Sequence, residues 1–287
     1  MVTSDSNLFL LKKTIDWSLL TNGMTIPVEF QPLVQSQPGG IVALGENRQI
    51  KILIDNEVYD ATLNSVNFDR NKYSNHKDLL QIRFTPKSPI ALKLQSVFED
   101  SFNYFQTERQ KKENFHRQIK LPAGINEYVV LYSTIMPNVF EMECYTAVLN
   151  DSVTNDIKEM TELEYEAKSF EPKTDSNASI VEKVSIQKYR HLDLSIANSL
   201  KKLYDYRCQI TGEKIGDEYG GNVIEAHHIE YFTKSLNNDS SNIIILSPNF
   251  HRIIHKNNPH FNREKLCFEF ENGIVEKIRL DKHLRVE

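Results

Sequence analysis

Glu225-Ala226-His227-His228-Ile229 is the stretch that decides how this chain reads, together with Asn242 and the run Asn249-Phe250-His251-Arg252-Ile253-Ile254-His255. Two adjacent histidines close an apolar run that holds Val223, Ile224 and Ala226. Asn242 follows fourteen residues after His228, and the later run carries a His-x3-His pair. Six of the nine histidines fall after residue 200, so imidazole is concentrated where a metal site would need it.

The spacing has a direct physical reading. His251 and His255 are four residues apart, so on a helix their rings leave one face and can converge on one ion. His227 and His228 sit where a short strand would end, so one ring can turn to that helix and the other to a substrate. Neutral imidazole is a good ligand for zinc, nickel or manganese, and it is also a general base near neutral pH. A helix with two histidines facing a strand end with two more can therefore hold one metal and leave one base free. Glu225 can orient a histidine through its carboxylate, and it reads equally as an exposed strand residue.

This order of residues resembles the HNH (ββα-metal) endonuclease family, over roughly the last hundred residues. The lead-in Leu200-Lys201-Lys202-Leu203-Tyr204-Asp205-Tyr206-Arg207-Cys208-Gln209-Ile210-Thr211-Gly212 is similar to that of bacterial members. The resemblance implies that His227, His251 and His255 are metal ligands, that His228 is the catalytic base, and that Asn242 pins the loop that aims it. It implies one divalent ion per active site (Mg, Mn, Ni or Zn) and double-stranded DNA as substrate. Arg252 and Lys256, beside the helix ligands, then become phosphate contacts. Many relatives also carry a zinc knuckle of four cysteines. Here Cys208 is followed three residues on by Thr211, and Ser247 stands where a later cysteine often falls. One thiol cannot complete a four-coordinate structural site, so no structural zinc is expected.

A chain of 287 residues suggests two domains. The expected architecture is α+β: a mixed, strand-rich domain over 1–150, an acidic connector over 151–185, and a ββα-metal module over 186–287. Three separated cysteines, Cys144, Cys208 and Cys267, give no disulfide framework and suit a reducing cytoplasm. No secretion signal is read at Met1-Val2-Thr3-Ser4-Asp5, and no apolar run approaches the roughly 20 residues of a membrane span. The net charge of -5 hides a segregation. Arg70 to Lys120 holds eleven Lys and Arg against five Asp and Glu, whereas Glu141 to Glu182 holds eleven acidic residues against three lysines. An acidic protein can present a cationic face to phosphates in this way, and Arg70 and Lys72 are the candidate DNA contacts of the basic stretch.

Within the first domain, Gln49–Ile54 alternates like a half-buried strand and Asp55-Asn56 can turn it into Val58–Leu63. Leu79–Phe84, Tyr128–Tyr132 and Val139–Met142 read as further strands. Ser88-Pro89 opens a helix whose stripe of Leu94, Phe98, Phe102 and Phe105 reads as core. In the module, Leu192, Ile196, Leu200 and Leu203 mark an amphipathic helix. Asn272-Gly273 turns a final hairpin.

The functional expectation is a restriction or defence nuclease, with the first domain selecting the target and a homodimer cutting both strands. Two other readings share these residues. One is a degenerate module that grips nucleic acid without cutting it. The other is a nuclease whose first domain senses a modified base, a nucleotide signal or a partner protein.

Overall fold

The computed structural model describes residues 8–36, 39, 41–67, 79–111, 118–147, 158, 161, 162, 165 and 180–284, with only the backbone of 180–190. The chain divides into two compact units, Met1–Asp151 and Ser152–Glu287. The acidic stretch from Ser152 onward thus belongs to the second unit. The architecture is mixed α+β, and no helix among the described residues is long and apolar enough to cross a membrane.

The first unit is built on a seven-stranded sheet ordered β1-β6-β7-β3-β4-β5-β2. Its strands are β1 (Phe9–Thr14), β2 (Gly23–Ile26), β3 (Asn47–Ile54), β4 (Glu57–Val66), β5 (Leu79–Arg83), β6 (Tyr128–Ser133) and β7 (Val139–Tyr145). All neighbours are antiparallel except β3 and β7. The β3–β4 hairpin turns on Asp55 and Asn56, whose φ angles of 51° and 67° match a tight two-residue turn. Its inner face is Ile50, Ile52, Ile54, Ala61 and Leu63, all buried. Full burial of one Ile stabilises by about 1.5–3 kcal/mol. The exposed Lys51–Asp60 ion pair across the same strands contributes at most about 1 kcal/mol. The hairpin is therefore held by its apolar face. Gly23 has no substitute in β2: a Cβ there would lie 2.0 Å from the carbonyl oxygen of Ile82 on β5.

Short helices α1 (Trp17–Thr21) and α2 (Gln31–Gln35) follow β1 and β2. Asp16 caps α1, its carboxylate accepting from the Leu19 N–H at 2.7 Å. The aromatic stripe expected on one helix is divided between two, α3 (Pro89–Val97) and α4 (Glu99–Gln110). Phe98 lies between them at φ -112° and ψ 46°, outside helical geometry. The break lets Leu94, Phe98 and Phe105 all reach the core, while Phe102 stacks on Trp17 with ring centroids 5.7 Å apart. Arg70 and Lys72 lie outside the described residues.

The second unit opens on the long helix α5 (Ile180–Leu203), whose Leu192, Ile196 and Leu200 are fully buried. The hairpin β8 (Glu225–His228) and β9 (Ile243–Leu246) packs on it, with His227 opposite Ile244 and His228 opposite Ile243. Between the strands lies the single-turn helix α6 (Phe232–Ser235). Helix α7 (Pro248–Asn257) follows, started by Ser247, which accepts from the Phe250 N–H, and by Pro248 at its first position. The strands β10 (His260–Asn262), β11 (Cys267–Glu269) and β12 (Val275–Lys277) form a small antiparallel sheet with β11 in the middle. The β11–β12 turn passes through Asn272 and Gly273, the latter at φ 84°. All three cysteines are free thiols and buried.

The end of the chain is tied back by His283. Its Nε2–H donates to the Ile243 carbonyl at 2.9 Å, and its Nδ1 lies 2.6 Å from the Tyr204 hydroxyl, which donates to it. Burial holds this imidazole below its ordinary value, so it folds neutral. The unfolded chain takes up a proton near pH 6.5, where the folded one does not. The stabilising contribution is therefore complete above that pH and is lost as the pH falls below it. Thermal melts should show the second unit weakening between pH 7.5 and 5.5. Tyr204→Phe, which leaves Nδ1 and the Lys282 N–H without their partner, should lower stability at pH 7.5 by about 1–3 kcal/mol.

Candidate metal centre

Strand geometry places the first candidate ligand. Side chains two apart on a strand share a face, so Glu225 and His227 point together toward α7 while Ala226 and His228 point away. On α7, His251 and His255 are one turn apart and meet that face. The three rings, His227, His251 and His255, lie with centroids 5.1, 4.6 and 4.6 Å apart. Their candidate ligand atoms all fall within 4.8 Å of one another. Glu225 Oε2 lies 2.6 Å from His251 Nδ1, which fixes the proton on that nitrogen and leaves Nε2 to the cluster. His251 Nε2 is 3.1 Å from His255 Nε2, which is 3.2 Å from His227 Nδ1.

The donor set fits a cation. Ligand nitrogens about 2.0–2.1 Å from a tetrahedral zinc stand roughly 3.3 Å from one another, close to the spacings here. Three imidazoles with no carboxylate among them favour zinc, nickel or another borderline ion over magnesium, which prefers oxygen. Burial, and then the neighbouring His251, His255 and His228, push His227 down to about 2. It is thus a neutral imidazole throughout the physiological range, the form that can bind a metal.

Asn242 is fully buried and closes the β8–β9 connection. Its Oδ1 accepts from the Glu230 N–H at 2.9 Å, and its Nδ2 donates to the carbonyls of Glu230 and Asn237, each at 2.8 Å. All three hydrogen bonds hold the loop that leaves His228. Arg252 and Lys256 are exposed on α7, each one residue beyond a clustered histidine. Tyr231 was not foreseen from the sequence. Its ring stacks on His255 at 5.5 Å and carries the Lys234 ammonium over its face at 5.2 Å.

His228 is not brought into the cluster. Its ring stacks on Phe232 with centroids 5.5 Å apart, and Tyr165 lies 6.3 Å away. Nδ1 lies 3.0 Å from Glu162 Oε1. Glu162 also accepts from the Phe232 N–H at 3.0 Å and from the Thr233 N–H and hydroxyl at 2.9 and 3.0 Å. Burial pushes its carboxyl up, but the hydrogen bonds from His228 and Thr233, the positive charge of His228 when protonated, and the Phe232 N–H outweigh that and hold it below the ordinary carboxylate value. Both ring nitrogens of His228 are shielded from solvent. Nothing in the sequence pointed to Glu162, because its partners are some seventy residues away and its surroundings are acidic and polar.

Compared with protein-family models, with curated proteins and with solved structures, the chain matches none.

Removing the carboxylate behind His251 tests the cluster. Glu225→Ala should weaken zinc or nickel binding by about 10–100-fold in a calorimetric titration while the fold, read by circular dichroism, persists. Unchanged affinity would mean that Glu225 does not support the cluster, and no saturable zinc or nickel binding by the wild-type chain would mean that these imidazoles do not act as a metal site.

Proposed function

We propose that this chain is a metal-dependent DNA endonuclease of the HNH type, cytoplasmic and of the restriction or defence kind. The observation that carries the reading is the convergence of His227, His251 and His255 beside a fourth imidazole, His228, on the adjacent strand position. The resemblance in residue order supports the same assignment. In this reading the first unit selects the target, and a homodimer supplies two sites for the two strands of the duplex.

The chain's residues divide the work of phosphodiester hydrolysis. His227, His251 and His255 would hold the cation, which would supply charge neutralisation for the phosphodiester. His228 takes the proton from the attacking water at Nε2, the nitrogen turned away from Glu162. Asn242 keeps the loop after β8 in one conformation, so the ring stays aimed. Arg252 and Lys256 meet flanking phosphates and set position without reading bases.

One observation favours the rival reading of a module that grips nucleic acid without cutting. The ring nitrogens of His228 are shielded, and a base needs water within reach.

A plasmid-nicking assay with Mg²⁺, Mn²⁺, Ni²⁺ or Zn²⁺ separates the two. Supercoiled DNA should be nicked with a metal and left intact with EDTA. His228→Ala should lose roughly 10²–10⁴-fold in rate while retaining DNA binding. Tight, metal-independent binding with no nicking under any of these ions would establish the rival.

A further inference from the structure

We propose that Glu162 is a positioning residue, which fixes His228 in the tautomer that carries its proton on Nδ1 and leaves Nε2 unprotonated. This rests on the nuclease reading for its use, but the contact is a property of the chain itself. Glu162 comes from the acidic stretch, outside the residues that carry the family resemblance.

Three features of the geometry point this way. The carboxylate is itself held rigidly: Oε2 takes both the N–H and the hydroxyl of Thr233, and Oε1 takes the Phe232 N–H. A carboxylate with two backbone donors cannot swing away from the ring it faces. Oε1 then lies 3.0 Å from His228 Nδ1, and a carboxylate accepts but never donates, so this contact favours a proton on that imidazole nitrogen. The ring is clamped in the same plane by stacking on Phe232 at an interplanar angle of 26°. Phe232 and Thr233 open α6, so one turn of helix aims both the carboxylate and the imidazole. Tyr165 closes the remaining side, packing on Phe232 with centroids 4.9 Å apart and donating its hydroxyl hydrogen to Asp193 of α5.

An imidazole with Nδ1 free prefers the opposite tautomer, with the proton on Nε2. A base that must accept a proton at Nε2 is silent in that form. Holding the tautomer by a buried carboxylate is the same service that the aspartate performs in a Ser-His-Asp triad.

The test uses the full chain and two variants. In ¹⁵N-histidine-labelled protein, long-range ¹H–¹⁵N spectra should show His228 protonated on Nδ1 alone. Glu162→Leu removes the acceptor and should move the proton largely to Nε2. Glu162→Gln retains an amide oxygen for Nδ1–H and can donate to the Thr233 hydroxyl, though it loses the bond from the Thr233 N–H, so it should keep the wild-type tautomer at some cost in stability. On supercoiled plasmid with Ni²⁺ or Zn²⁺, Glu162→Leu should lower kcat by about 10²-fold with KM and bound metal unchanged, and Glu162→Gln should recover most of it. A wild-type ring carrying its proton on Nε2 overturns the proposal, whether or not Glu162→Leu folds. So does a Glu162→Leu enzyme that cuts as fast as wild type or faster, which would make the acidic stretch a cover over the site. Wild-type protein that cuts nothing, but whose tautomer still switches in Glu162→Leu, supports the contact and removes only the nuclease reading.

Discussion

Gln209 and Ile245 exchange hydrogen bonds through backbone and side chain together, and the histidine cluster depends on that seam. The Gln209 N–H donates to the Ile245 carbonyl, and its side-chain oxygen accepts from the Ile245 N–H, each at 2.8 Å. Its amide donates to the Leu280 carbonyl, and its own carbonyl accepts from Arg279 and Leu280. A fully buried glutamine is thus satisfied at every polar position, which is the condition for burying one without a penalty. The consequence is structural. β9 is buried along its whole length but, among the described residues, pairs with only one strand, β8. Its other edge would leave buried N–H and C=O groups without partners unless side chains took them. Gln209 takes those of Ile245, and His283 takes the carbonyl of Ile243. With both edges fixed, β9 sets the register of β8, and that register sends His227 to α7.

How much of this was legible in the sequence follows from the range of each interaction. His251 and His255 are four apart on a helix opened by Ser247-Pro248, so both their common face and the helix start are local. The Asp55-Asn56 and Asn272-Gly273 turns are local too, written in residues that tolerate positive φ. Asn242 is intermediate: its partners lie five and twelve residues away, and the loop it closes was readable only through the resemblance. Glu162 is the opposite case. Its carboxylate is buried by contacts some seventy residues distant, inside a stretch whose composition reads as solvated surface. Composition averages over such residues, and one buried acid among eleven exposed-looking ones leaves no periodic trace. The division of the aromatic stripe at Phe98 was hidden for a related reason. Periodicity reports which residues face inward, and both a continuous helix and a broken pair satisfy it.

Charge in the first unit is more committed than its composition suggests. Lys13 is paired with Asp16, and Lys51 with Asp60, while Lys93 faces Asp55 and Glu57 at the β3–β4 turn. Arg48 is turned onto the carbonyls of Gly39 and Ile41, where it braces a loop. Arg109 lies over the ring of Trp17 at 4.7 Å. These cations still contribute to the long-range field, since an ion pair on the surface is only partly neutralised and the field sums over all charges. Their geometry, however, is fixed by the protein's own carboxylates and carbonyls. Any cationic face for phosphates must then be assembled from the less committed side chains.

The adjacency of His227 and His228 brings these threads together. Neighbouring residues on a strand face opposite ways, so two histidines in succession cannot enter one cluster without breaking the ladder. The ladder is intact here, with both residues in register opposite Ile244 and Ile243. One ring therefore joins His251 and His255, and the other meets Glu162, Phe232 and Tyr165. The first environment is made of imidazole nitrogens and suits a cation. The second is made of a carboxylate and two aromatic faces and suits a polarised, oriented ring. The same backbone constraint that keeps His228 out of the three-histidine cluster gives its ring a separate environment at the neighbouring position. The two environments lie back to back at the end of β8, where the chain leaves the sheet under the hold of Asn242.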